Sequence, residues 1–213
     1  MKKTVQAAII CCALAFSVAG FSGAAEVKSG NNKASVSVYG QVDRVVLHVD
    51  DGRDSDTFSA DNDHSSTRIG FKAKAKKNEL TTGAVVEVEI ESDSTSKLAM
   101  NGGTSQRSGV SFAERHLNVF LEHAKLGKLT LGQGSTASDG TSEVDLSGTT
   151  VAGNSDVEVM AGSFLFYDKA GTAYSSVKVG DAFNNLDGLS RKDMFRYDTP
   201  SFRGVSLAAS TSS

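Results

Sequence analysis

Ser65 to Ala75, reading SSTRIGFKAKA, decides how the rest of the chain is understood, because its two faces are chemically opposite. At the two-residue period of a strand, Thr67, Ile69, Phe71, Ala73 and Ala75 point one way, while Ser66, Arg68, Gly70, Lys72 and Lys74 point the other. A soluble sandwich buries the first face in a core and shows the second to bulk water. A membrane barrel shows the first to lipid and the second to a wet lumen. Both produce the same alternation, so the neighbouring segments carry the choice.

The next segment turns at Lys76 to Leu80 and returns as Thr81 to Glu91 (TTGAVVEVEIE). Thr82, Ala84, Val86, Val88 and Ile90 share one face, and Gly83, Val85, Glu87, Glu89 and Glu91 share the other. An acidic polar face therefore lies directly beside a basic one. Strand signals recur along the chain in Ser35 to Val49, Phe112 to Leu121, Lys128 to Gln133, Val157 to Tyr167, Arg191 to Asp198 and Val205 to Ser210, which makes about eight strands. Asp50 to His64, Ser92 to Gly109, Gly134 to Asp156 and Asp168 to Ser190 read as loops, with at most a helical turn inside 134–156. Leu117, Val119 and Leu121 pair with Leu129 and Leu131 as one apolar surface. Short turns alternating with long loops fit an antiparallel transmembrane barrel. The single proline, Pro200, falls in a turn, where no ladder hydrogen bond is lost.

The N-terminus carries Lys2 and Lys3, an apolar run from Val5 to Ala19, and small residues before Glu26, the pattern of a secretory signal peptide over residues 1–25. Cleavage is expected after Ala24 or Ala25, leaving 26–213 as one domain. Both cysteines, Cys11 and Cys12, lie in the leader, so the mature part has no disulfide and no thiolate metal site. Removing two lysines takes the 22 basic residues to 20 against 25 acidic ones, moving the formal charge from -3 to -5, which argues against nucleic acid as a partner. Beyond the leader, no stretch reaches the roughly 20 apolar residues of a membrane helix.

Val38, Tyr39 and Gly40, the block Thr67 to Lys72 (TRIGFK), Glu79 and Leu80 before the acidic strand, and Arg196 to Gly204 (RYDTPSFRG) resemble, in order and spacing, the general trimeric porins of Gram-negative outer membranes. The resemblance implies a water-filled barrel in outer-membrane lipid, a homotrimer, and passive diffusion of small hydrophilic solutes and ions. It also implies a third external loop folded inward, which here is Gly134 to Asp156. Asp139, Glu143 and Asp145 become the acidic side of the constriction. Arg68 takes the opposing basic wall, with Lys72 and Lys74 on the same face, and Arg115 matches by position. By alternation Arg115 falls with Leu117 and Val119, so it needs a bulge or a strand end to turn inward.

Two features depart from the family. Arg44 shares the face of Val38, Gly40 and Val42, where a cation facing lipid costs about 2 to 4 kcal/mol. Roughly 188 residues follow the leader, and sixteen strands of about 10 residues each leave little for loops. The expectation is therefore a truncated porin covering about eight of sixteen strands. A small closed eight-stranded barrel with a structural or adhesive role is the alternative, and a periplasmic sandwich is a third. His48, His64, His116 and His123 lack the spacing of a ligand set. Asp50, Asp51, Asp54 and Asp56 around Gly52 lack the order of a calcium loop. Glu87, Glu89 and Glu91 read as a hydrated face and not as a cation site. No metal or cofactor is expected, and no nucleophile elbow or phosphate loop points to an enzyme.

Overall fold

A computed structural model of the chain describes residues 10–16, 25–101, 104–141, 146, 148, 156–183 and 188–212. The strands are β1 (Ile10–Phe16), β2 (Ala25–Lys28), β3 (Ala34–Gln41), β4 (Arg44–Asp50), β5 (Ser55–Asp61), β6 (Arg68–Lys77), β7 (Leu80–Ser92), β8 (Ala99–Asn101), β9 (Thr104–Gln106), β10 (Val110–His123), β11 (Gly127–Ser135), β12 (Leu165–Asp168), β13 (Ala173–Lys178), β14 (Arg191–Asp198) and β15 (Ala208–Ser212). Two α-helices of one turn each, α1 (Glu158–Ala161) and α2 (Val179–Ala182), and two 3-10 turns, Asp63–Ser65 and Thr95–Lys97, complete the order among the described residues.

Eight strands form one antiparallel sheet in the order β15-β14-β11-β10-β7-β6-β3-β2. It is open, with β2 and β15 as its edges. The connections β2 to β3, β6 to β7, β10 to β11 and β14 to β15 lie at one end, and the long ones at the other. Register carries the apolar residues into continuous rows: Val38 faces Phe71, Phe71 faces Val86, and Val86 faces Leu117. A second row joins Val119, Leu131 and Phe195.

This sheet is apolar on its open side. Phe71 is 45% exposed and Leu131 57%, whereas Glu87 on the opposite face is only 6% exposed. An exposed apolar face of this extent marks a surface that a partner or a membrane covers.

The long connections fold into a lobe of their own. Strands β1, β4 and β5 make a three-stranded sheet. Val45, Leu47 and Val49 bury one side of it against Phe58, Leu98, Met100, Ala161, Phe164 and Val179. Phe58 meets Phe164 edge on, with centroids 6.1 Å apart.

Several sequence expectations change here. Ser35 to Val49 is two strands, not one: the chain leaves the main sheet at Val42 and Asp43 and enters the lobe. Arg44 therefore does not lie on the apolar face of the main sheet, and instead binds Asp61 at 3.6 Å and donates to Ser92 O at 2.6 Å. The stretch 50–64, expected as loop, contains β5, and 92–109 contains β8 and β9. Val157 to Tyr167 opens with α1, because Met160, Ala161 and Phe164 serve the lobe's core and not a sheet face. The eight strands of the main sheet include β2, which the sequence did not reveal, and exclude 157–167. Asp168 to Ser190 holds β13 and α2. Ile10–Phe16 pairs along β4, from Ile10 opposite Asp50 to Phe16 opposite Arg44. An extended apolar segment of this kind satisfies an otherwise open strand edge.

Asp43, at the junction of sheet and lobe, is 2% exposed. Its Oδ2 accepts from Asn62 Nδ2 at 3.2 Å, while Oδ1 has no hydrogen-bond partner. Burial, with the Asp61 carboxylate nearby, raises its pKa above the usual value. The charge is then costlier in the folded chain than in the unfolded one. The penalty is full above the raised folded pKa and fades as pH falls toward the ordinary carboxylate range. Asp43→Asn should accordingly stabilise the lobe near neutral pH, and the gap from the parent should close on acidification. Thermal resistance of the lobe to protease, measured against pH, checks this.

Candidate functional site

The charged face of the sheet is organised in rows across the strands. Tyr39 on β3 lies opposite Gly70 on β6, and Gly70 lies opposite Glu87 on β7. A Cβ at position 70 would stand 2.3 Å from the Tyr39 ring. Glycine in the TRIGFK block thus lets the ring lie across β6, where its hydroxyl donates to Glu87 Oε2 at 2.8 Å.

Arg115 enters the same cluster through a β-bulge. The register of β10 on β7 slips between Glu114, opposite Val88, and His116, opposite Glu87, which leaves Arg115 as the extra residue. Its Nε donates to Glu87 Oε1 at 2.7 Å, and its Nη1 donates to Glu89 Oε2 at 2.8 Å and to Ser66 Oγ at 3.1 Å. Leu117 and Val119 stay on the apolar side, 55% and 54% exposed. The bulge anticipated from parity is present.

Arg68 completes the group, 3.7 Å from Glu87 Oε1, with Nη2 donating to Ser65 Oγ at 2.8 Å. Ser66 Oγ donates to Glu89 Oε2 at 2.6 Å. Two arginines and two glutamates are thus interlocked near the long-loop end of the sheet. Glu87 is buried, and the other three are largely covered, with the Arg115 side chain 12% exposed.

Lys72 and Lys74 share this face but not this cluster. They lie toward the short-turn end, where the charged neighbours of Lys72 are Lys74, Lys128 and Glu122. The basic wall therefore has two stations, an arginine station near the loops and a lysine station near the turns. A concavity lined by Tyr39, Lys72, Glu87, His116, Lys128 and Arg196 runs between them.

Asp139 lies in the segment following β11, within electrostatic reach of His116 and Arg191. Arg196 anchors the start of that segment, with Nη1 donating to Ser135 O at 2.9 Å and Thr136 O at 2.8 Å. Leu189 N donates to Ser138 Oγ at 3.0 Å, tying the far end of the same excursion alongside. Glu143 and Asp145 lie outside the described residues.

Sequence reasoning missed Arg191 and His116. Arg191 opens β14 on the parity of Phe195, so alternation places it outward, yet Arg115, Asp139, Glu87 and Glu89 are its charged neighbours. His116 follows the bulge, and only the bulge reveals its face. The aspartates around Gly52 are turn residues: Asp50 Oδ1 accepts from Gly52 N, and Asp51 Oδ1 from Arg53 N and Asp54 N.

An antiparallel sheet, apolar on its exposed face and charged on its inner face, has the two-sided chemistry of outer-membrane strands. The family model for Gram-negative porins matches residues 8–213, and the chain belongs to that family. Its members are outer-membrane channels as a class, and not enzymes. No curated protein and no solved structure matches the chain.

Proposed function

We propose that the main sheet is part of the wall of a water-filled transmembrane barrel through which small hydrophilic solutes and ions diffuse passively. The single observation that carries this reading is the inverted sheet, with Phe71, Leu117 and Leu131 turned outward and Arg68, Glu87, Glu89 and Arg115 turned inward. Hydrocarbon leaves no strand edge unpaired, so β2 and β15 acquire partners in the assembled channel. The assembly is a homotrimer, as the family resemblance implies, and the leader of residues 1–25 is removed before insertion.

Arg68, Arg115 and Arg191 form the basic side of the narrow point, and Asp139, Glu143 and Asp145 the acidic side. Low-dielectric walls concentrate the field between opposed charges, which orients dipolar solutes and biases ion type. In planar bilayers, Glu143→Gln with Asp145→Asn should lower cation preference, and Arg68→Gln should raise it. Unchanged reversal potentials in a salt gradient for both variants would remove these residues from the narrow point. Recovery of the protein as a detergent-free soluble periplasmic species would overturn the channel itself. N-terminal sequencing of the outer-membrane form checks the leader, with Glu26 or a neighbour expected first.

A further inference from the structure

We propose that Asp63, Glu89 and Glu91 form a binding site for one hard divalent cation, calcium by preference, which joins the outer lobe to the channel wall. One carboxylate oxygen from each of the three lies within 4.8 Å of the others. Calcium binds oxygens at about 2.3 to 2.6 Å, so oxygens on opposite sides of one ion stand about 5 Å apart. The cluster therefore has the size of a single coordination sphere.

A second observation points to a ligand. The Glu91 side chain is 1% exposed, and its Oε1 is buried without a hydrogen-bond partner. Its near neighbours are the carboxylates of Asp63 and Glu89. Ionised carboxylates only accept, so they cannot satisfy one another. A buried carboxylate in such company calls for a cation or a shared proton between the groups.

Among the described residues, two cations meet these carboxylates, each at a single oxygen. Lys97 Nζ meets Glu91 at Oε2, 3.3 Å away, and Lys97 is itself half exposed. Arg115 meets Glu89 at Oε2. Neither meets Glu91 Oε1, which stays buried without a hydrogen-bond partner.

The ligands come from two parts of the fold. Glu89 and Glu91 stand on β7 of the main sheet, and Asp63 opens the 3-10 turn Asp63–Ser65 that follows β5 of the lobe. Backbone contacts such as Asp61 N to Asp93 O, and the Arg44 side chain bridging Asp61 and Ser92 O, also hold β5 near β7. An ion here would clamp the lobe against the wall at the loop end. Flexible all-carboxylate coordination favours calcium over magnesium, which demands a stricter octahedron and sheds water reluctantly. The proposal is independent of conductance.

The test uses the full chain, purified in detergent and stripped with chelator, then titrated with calcium chloride by calorimetry. One ion per chain is expected. Asp63→Asn and Glu91→Gln should each weaken binding by about tenfold or more, since each removes a charged ligand from a small set. Glu122→Gln, at the opposite end of the sheet, should leave the affinity unchanged. Protease cleavage of the lobe should slow on adding calcium in the parent and not in Asp63→Asn, whose turn position keeps the wall strands intact. Absence of saturable calcium binding, or binding of equal strength in Asp63→Asn and Glu91→Gln, would overturn the site. So would a parent whose lobe is protected by acidification alone and not by calcium, which would mean that a shared proton joins Asp63 and Glu91.

Discussion

Replacing Arg115 with methionine should destabilise the folded channel by about 3 to 5 kcal/mol, the usual cost of leaving a buried charge without its partner. Glu87 would keep the Tyr39 hydroxyl and the more distant Arg68, at 3.7 Å, and Glu89 would keep Ser66 Oγ. Neither arrangement replaces the short bonds of 2.7 and 2.8 Å that Arg115 supplies. The denaturant midpoint in detergent micelles reads this loss. Arg115→Met combined with Glu87→Gln should recover more than half of it, because the second change removes the orphaned charge. Cation preference should rise in the single variant, as one positive charge leaves a focused field. Parent-like stability in Arg115→Met would show that water screens the cluster and that the bulge at position 115 serves only sheet curvature.

Leu131→Arg should block membrane assembly, while Asn118→Arg should not. Leu131 lies outward in the row with Val119 and Phe195, and a cation there costs about 2 to 4 kcal/mol if the row crosses the bilayer midplane. Asn118 lines the inner concavity, where an added guanidinium meets water and Glu87. The comparison holds charge and bulk constant and changes only the face. Yield of the heat-modifiable, detergent-extracted form measures it. Equal yields from both variants would contradict the assignment of the outward face to lipid.

How much of this was legible beforehand differs from element to element. Alternation in Ser65 to Ala75 and Thr81 to Glu91 was enough to pair β6 with β7 and to place Arg68, Lys72, Glu87 and Glu89 on one face, because a strand's period is a local property of the backbone. The same alternation could not separate β3 from β4. Val45, Leu47 and Val49 alternate as Val36 and Val38 do, yet one set packs inside the lobe and the other faces outward. Period two reports that a strand has two faces and says nothing about what covers each.

The candidate site shows the same division. Parity placed Arg115 on the wrong face and thereby called for a bulge, and a bulge is what the register of β10 on β7 contains. Arg191 gave no such warning, since it begins its strand and its surroundings come from β7, β10 and the segment after β11. Asp63 is legible only as a turn residue until the lobe folds back onto β7.

The sequence by itself determined the all-β, mainly antiparallel class, the charged inner row and the apolar outer row, because these follow from residue order along single strands. Only the tertiary structure decided which long connections build the lobe, which face Arg191 serves, and that carboxylates 26 and 28 residues beyond Asp63 converge on it. Those outcomes depend on register between strands and on contacts between segments distant in the chain. Such contacts are selected by collective packing and charge pairing, for which a local pattern carries no signal.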